Sequence, residues 1–147
     1  MNSVLIVDDE SGIREILARW TSAAGYAIRE APDAETALQE MSRQAADVVL
    51  CDVEMPGHGG LWLAEQLREQ FPTTAIVLAT AVDSVPAATS FKPGIVEYLV
   101  KPLSRDLVLK AVTHGLTWRA AAIARGPGPA ADPDAMARWL DSPGTDD

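Results

Sequence analysis

The chain alternates between short apolar runs and segments whose apolar residues recur at helical spacing. "SVLIV" (Ser3–Val7) is β-branched and apolar, and reads as a strand. After it, Ile13, Ile16, Leu17 and Trp20 fall at spacings of three, four and seven, which predicts an amphipathic helix. Ser11 is placed to cap that helix and Gly25 to stop it. "YAIRE" (Tyr26–Glu30) reads as a weaker strand. Asp33 is placed to cap a second helix, whose stripe is Ala34, Ala37, Leu38 and Met41. "DVVLC" (Asp47–Cys51) is a third strand, and the loop "DVEMPGHGG" follows it.

A third helix starts near Gly60, carries Leu63, Leu67 and Phe71, and ends at Pro72. "AIVLAT" (Ala75–Thr80) and "IVEYLV" (Ile95–Val100) are the fourth and fifth strands. Between them, residues 83–91 read as a short helix with Pro86 in its first turn, where a missing N–H costs little. Ser104 caps a long final helix that runs to Arg125.

Strand and helix in strict alternation predict an α/β fold, a doubly wound five-stranded parallel sheet with helices on both faces. Near-continuous apolar strands suit such a sheet, because both faces are buried. The expected organisation is one domain over residues 1–125, a Gly/Pro/Ala linker over 126–133 and a short tail helix with a frayed end over 134–147. Met136, Trp139 and Leu140 share one face of that tail.

The length of 147 residues fits one domain plus an extension. A formal net charge of -9 argues against direct nucleic-acid binding by this chain. No apolar run approaches the roughly 18 residues that span a membrane. The single cysteine excludes an internal disulfide, and with no signal peptide evident the expected location is cytoplasmic.

In doubly wound sheets, ligands bind beyond the carboxyl ends of the strands. Strand one ends in Asp8 and Asp9, strand three in Asp52, strand four in Thr80, and strand five leads to Lys101 and Pro102. Clustered carboxylates resist joint ionisation, and a hard divalent ion relieves this. Magnesium suits a site with few protein ligands and room for water and phosphate oxygens. With it bound, Asp52 can act as a nucleophile toward phosphorus and form an acyl phosphate. Lys101 is then a second cationic clamp, and Thr80 a hydroxyl donor to a phosphate oxygen.

"VDD", "LCDVEMPG", "AT" and "YLVKP", in this order over about Ser3 to Arg125, resemble the receiver domain of bacterial two-component response regulators. The resemblance implies a flavodoxin-like receiver fold and a phosphorylation-dependent switch. Asp52 takes a phosphoryl group from a histidine kinase, a phosphotransfer protein or a small phosphodonor. Asp8, Asp9, Asp52 and the backbone carbonyl of Glu54 hold Mg2+. Thr80 and Tyr98 form a switch pair, and the Lys101–Pro102 bond is cis. The output is altered affinity for a partner, or for a second copy of the chain. The face used is formed by the helix expected at residues 83–91, strand five and the last helix.

The chain departs from the family pattern at Gly59, where an aspartate is usual, and at Pro86. Glu54 and Val82 lie two residues after Asp52 and Thr80, and are expected to tune the lifetime of the acyl phosphate. Trp62 shares a helical face with Glu65, Gln66 and Glu69, so partial exposure and partner contact are expected of it. Trp20 and Cys51 read as packing residues, and His58 and His114 as surface residues. A rival reading is a Mg2+-dependent phosphohydrolase with an aspartyl-phosphate intermediate. Such enzymes place a second aspartate where this chain has Glu54, and no cap domain is evident. The chain fits either a stand-alone receiver or the first part of a longer regulator.

Overall fold

Strands that carry no charged residue before their last position take the middle of the sheet. The computed structural model describes residues 1–81 and 93–126. In order, it contains β1 (Ser3–Val7), α1 (Ser11–Ala23), β2 (Ala27–Ala31), α2 (Ala34–Arg43), β3 (Val48–Asp52), α3 (Gly60–Gln70), β4 (Ala75–Thr80), β5 (Ile95–Val100) and α4 (Arg105–Arg125). All pairings are parallel, in the order β2-β1-β3-β4-β5. β3 and β4 are buried at every residue, while the more polar β2 and the half-buried β5 form the edges.

Side chains alternate across the sheet and build two cores. Leu5, Val7, Val49, Cys51 and Leu78 meet Ala37, Met41, Leu63 and Leu67 of α2 and α3. Val4, Ile6, Val48, Leu50 and Val77 meet Leu17 of α1 and Val108, Ala111 and Val112 of α4. Gly115 lets α4 come close to the sheet. A Cβ there would meet the Ala75 Cβ at 3.1 Å and Val48 Cγ2 at 3.4 Å. The far half of α4 is tied to the amino edge of the sheet, where Arg119 Nε lies 3.1 Å from Asp47 Oδ1 and Nη1 donates to Thr73 O at 3.0 Å. Trp118 packs on the same core.

The caps of α2 and α4 are as the sequence predicts. Asp33 accepts from the Thr36 amide at 2.7 Å, and Ser104 from the Leu107 amide at 3.2 Å. The expected Ser11 cap is corrected: Glu10 is the cap residue, no side chain caps α1, and Ser11 is its first helical residue. Asp8 Oδ1 accepts from the Glu10 amide at 2.9 Å, so a turn built on Asp8 sets where the helix begins. Ile16 is also corrected. It is 41% exposed, whereas Ile13, Leu17 and Trp20 face the core. β2 lies one residue later than expected, ending on buried Ala31. Phe71 is the C-terminal cap residue of α3 and lies outside the helix.

The expected helix at 83–91, with Pro86 and the neighbouring Val82, lies outside the described residues. So do positions 127–133 of the linker and the tail at 134–147. Among the described residues, no helix is long and apolar enough to cross a membrane.

Candidate functional site

β1 pairs with strands on both sides, β2 on one and β3 on the other, so the direction of winding reverses between β1 and β3. A doubly wound sheet opens a crevice beyond its strand ends at such a reversal. The last pair in the β1–β3 ladder is Val7 with Cys51, and Asp8 and Asp52 stand one step further along. Alternation turns both side chains to the α1/α4 face. Lys101 follows Leu99 by two residues and shares that parity.

Asp8, Asp9 and Asp52 each offer a carboxylate oxygen, and these atoms all lie within 4.8 Å of one another. Asp8 and Asp52 are buried, and Asp9 is exposed. Lys101 Nζ lies 3.3 Å from Asp52 Oδ1 and 3.7 Å from Asp8 Oδ2. The Lys101–Pro102 peptide is cis. The Lys101 amide donates to Thr80 O at 2.8 Å, which joins the ends of β4 and β5.

Burial pushes the Asp52 carboxyl above its ordinary range. Lys101 opposes that shift, and Asp8 adds to it. For Lys101, burial alone would favour the neutral amine. Asp52, Asp8 and Glu10 outweigh it and hold the ammonium above its ordinary value. The two directions are compatible, because Asp52 loses more to burial and to Asp8 than the lysine returns. A mutually repelling set of oxygen ligands, two of them buried, with the Lys101 ammonium beside it fits a hard divalent ion. Burial also drives the Cys51 thiol far upward, reinforced by Asp52 and Asp8, so that thiol stays protonated.

Glu54 is exposed on the loop after β3. Its amide donates to Asp52 Oδ1 at 3.2 Å. Its carboxylate accepts from Thr80 Oγ1 at 3.2 Å and from the Ala81 amide at 3.3 Å. Thr80 is fully buried. It pairs with Val100 in the ladder, as Leu78 pairs with Tyr98 two residues earlier. Thr80 and half-buried Tyr98 therefore project from one face of the sheet, the α2/α3 side.

The loop into α3 passes tightly under Asp52. A Cβ on Gly60 would lie 2.4 Å from Asp52 O, and one on Gly59 2.8 Å from Val53 O. Trp62 stands apart from the carboxylates. It stacks on His58 with ring centroids 3.9 Å apart and lines a groove of about 480 Å³ with Leu38, Gln39 and Arg43.

Sequence reasoning missed two participants. One is the Ala81 amide, a backbone donor that no residue type advertises. The other is Arg14, whose Nη1 donates to Asp8 O at 2.7 Å and whose Nε lies 3.4 Å from Glu30 Oε1 without an aligned hydrogen bond. A cation in the first turn after two aspartates was the available signal.

Comparisons with known proteins identify the family and the fold. Residues 4–113 match the family model of the response regulator receiver domain. The DNA-binding transcriptional regulator NtrC of Escherichia coli (strain K12) is 34% identical over 116 residues, covering 76% of this chain and 25% of that protein. The transcriptional regulatory protein ResD of Bacillus subtilis (strain 168) is 34% identical over 108 residues, covering 73% of this chain and 45% of that protein. The chain thus spans about a quarter of the length of the NtrC proteins it matches. Among solved structures, the response regulator protein TrrA of Thermotoga maritima, in complex with Mg2+-BeF, superposes with a TM-score of 0.72 at 34% identity, covering 79% of this chain and 100% of that one. The receiver domain of NtrX from Brucella abortus superposes with a TM-score of 0.73 at 27% identity, covering 78% and 98%.

Proposed function

The chain belongs to the response regulator receiver domain family, and we propose that Asp52 is the phosphoacceptor of its phosphorylation-dependent signalling switch. The observation that carries this reading is Lys101 Nζ at 3.3 Å from Asp52, beside three convergent carboxylates at the reversal of strand order. An Asp52 oxygen forms a bond to phosphorus as the donor's bond to phosphorus breaks. The donor atom, a histidine ring nitrogen or a carboxylate oxygen, leaves with the bonding pair.

Asp8, Asp9, Asp52 and the Glu54 carbonyl would hold Mg2+, which would supply charge neutralisation for the phosphoryl oxygens. The TrrA complex with Mg2+-BeF supports this choice of metal. Lys101 balances the remaining negative charge, and Thr80 donates its hydroxyl to a phosphoryl oxygen. The hydroxyl's movement makes room for Tyr98 on the same face of the sheet. Glu54 and Val82 set the lifetime of the acyl phosphate.

The partner is a histidine kinase or phosphotransfer protein in the cytoplasm, and the output is altered affinity for a protein partner or for a second copy of the chain. The receiver occupies residues 1–125, with the linker and tail beyond it. Incubation with a small acyl-phosphate donor and Mg2+ tests the reading. One phosphoryl group per chain is expected, with no turnover of a generic phosphate ester. Steady ester hydrolysis would instead indicate the phosphohydrolase.

A further inference from the structure

The phosphotransfer reading does not explain why the Glu54 carboxylate reaches the end of β4. The Val53 amide donates to Ala79 O at 2.8 Å, so the β3–β4 ladder runs one residue past β3 and delivers Glu54 at its end. From there one carboxylate spans two donors, the Thr80 hydroxyl at 3.2 Å and the Ala81 amide at 3.3 Å. Both sit at the end of the strand beside Asp52. A carboxylate and a phosphoryl group are both acceptor-only anions, and the same donors satisfy either.

We propose that Glu54 is an internal competitor anion, whose carboxylate occupies in the resting protein the Thr80 and Ala81 donors that a phosphoryl group on Asp52 takes over. The proposal rests on Asp52 being the phosphoacceptor. Glu54 makes and breaks no covalent bond in it. Its side chain leaves the donors as the new anion arrives.

Two features favour displacement over a permanent brace. Both contacts are longer than the roughly 2.7–2.9 Å usual for a charge-assisted hydrogen bond, so each of these two is weak. Glu54 is exposed, so a change of rotamer returns its charge to water and not to the core. The competent state, with donors vacant, is then a fraction of the resting population. Apparent affinity for an incoming anion falls by that fraction.

The test is the affinity for beryllofluoride at saturating Mg2+, by calorimetry, for the parent chain, Glu54→Ala, Glu54→Gln and the same changes in a Thr80→Ala background. Saturating metal removes any effect of the lost charge on Mg2+ binding, and the substitutions leave the Glu54 carbonyl in place. Glu54→Ala is expected to bind roughly tenfold tighter than the parent, the size of one charged hydrogen bond. Glu54→Gln, which keeps an acceptor oxygen without the charge, should fall between. In the Thr80→Ala background the gain should shrink, because one contested donor is gone. Unchanged affinity in Glu54→Ala would overturn the proposal. A gain undiminished by Thr80→Ala would also overturn it, since general repulsion would then be the cause. Absence of anion binding in every variant and the parent alike would contradict the Asp52 reading itself, and the competitor with it.

Discussion

Lys101 Nζ lies 3.3 Å from Asp52 Oδ1, and this contact couples the last residue of β3 to the first residue after β5 across the end of β4. Lys101 therefore holds together a site whose other members repel one another. Lys101→Met leaves Asp8 and Asp52 without that cation, and should destabilise the metal-free protein at neutral pH by about 1–3 kcal/mol. The lysine's pKa is raised on folding, so its contribution is complete below its ordinary value of 10.5 and fades as pH rises through the folded value. Urea titrations of both proteins at pH 7 and above pH 11 check this. The gap should narrow at the higher pH.

Asp52 behaves in the opposite sense. Its folded pKa lies above the ordinary 3.8, so the folded chain holds this proton more tightly than the unfolded chain does. That contribution is present below pH 3.8 and lost as pH rises through the folded value. Asp52→Asn keeps the shape without the charge. In metal-free buffer it should melt higher than the parent at pH 7, with the difference narrowing toward pH 4.

Magnesium should reverse that order. Bound only by the folded state, it stabilises the parent by about 2.7 kcal/mol at a hundredfold excess over its dissociation constant. Asp9→Asn and Asp52→Asn should each lose most of that gain. Melting curves with and without MgCl2 show it, and calcium serves as a control for ion size.

Two glycines separate close approach from mere permissiveness. The Cβ of Gly60→Ala would stand 2.4 Å from Asp52 O and 2.9 Å from Val53 Cα, both backbone atoms. A cost of about 1–3 kcal/mol is expected, together with slower phosphorylation as Asp52 shifts. Gly12, exposed on α1, has nothing within 4 Å of where a methyl group would stand, and Gly12→Ala should stabilise by about 0.5–1 kcal/mol. Denaturant midpoints of the two variants should move in opposite directions.

Much of this was legible in the sequence because strand ends are legible. Asp8, Asp52, Thr80 and Lys101 each close an apolar run, and parallel topology gathers such ends on one edge. The burial of β3 and β4 against the polar edges of β2 and β5 follows from the same runs. Loop contacts were not legible. Nothing in a periodic pattern says that the Glu54 carboxylate bridges Thr80 and Ala81, since Glu54 lies two residues past β3 in a loop, where alternation no longer sets side-chain direction. Ser11 misleads for a related reason. A capping residue type is present, but Asp8 has already ordered the turn through the Glu10 amide. The close approach at Gly115 was not legible either: a Cβ there would meet the Ala75 Cβ at 3.1 Å and Val48 Cγ2 at 3.4 Å.

The most direct test of the account is chemical mapping of the phosphorylated residue. The chain is treated with a small acyl-phosphate donor and Mg2+, reduced with borohydride, digested and sequenced by mass spectrometry. Reduction of an aspartyl phosphate leaves homoserine in its place. The account predicts homoserine at position 52 alone, and none in Asp52→Asn. Homoserine at Asp8 or Asp9, or equal labelling of the Asp52→Asn protein, would contradict it.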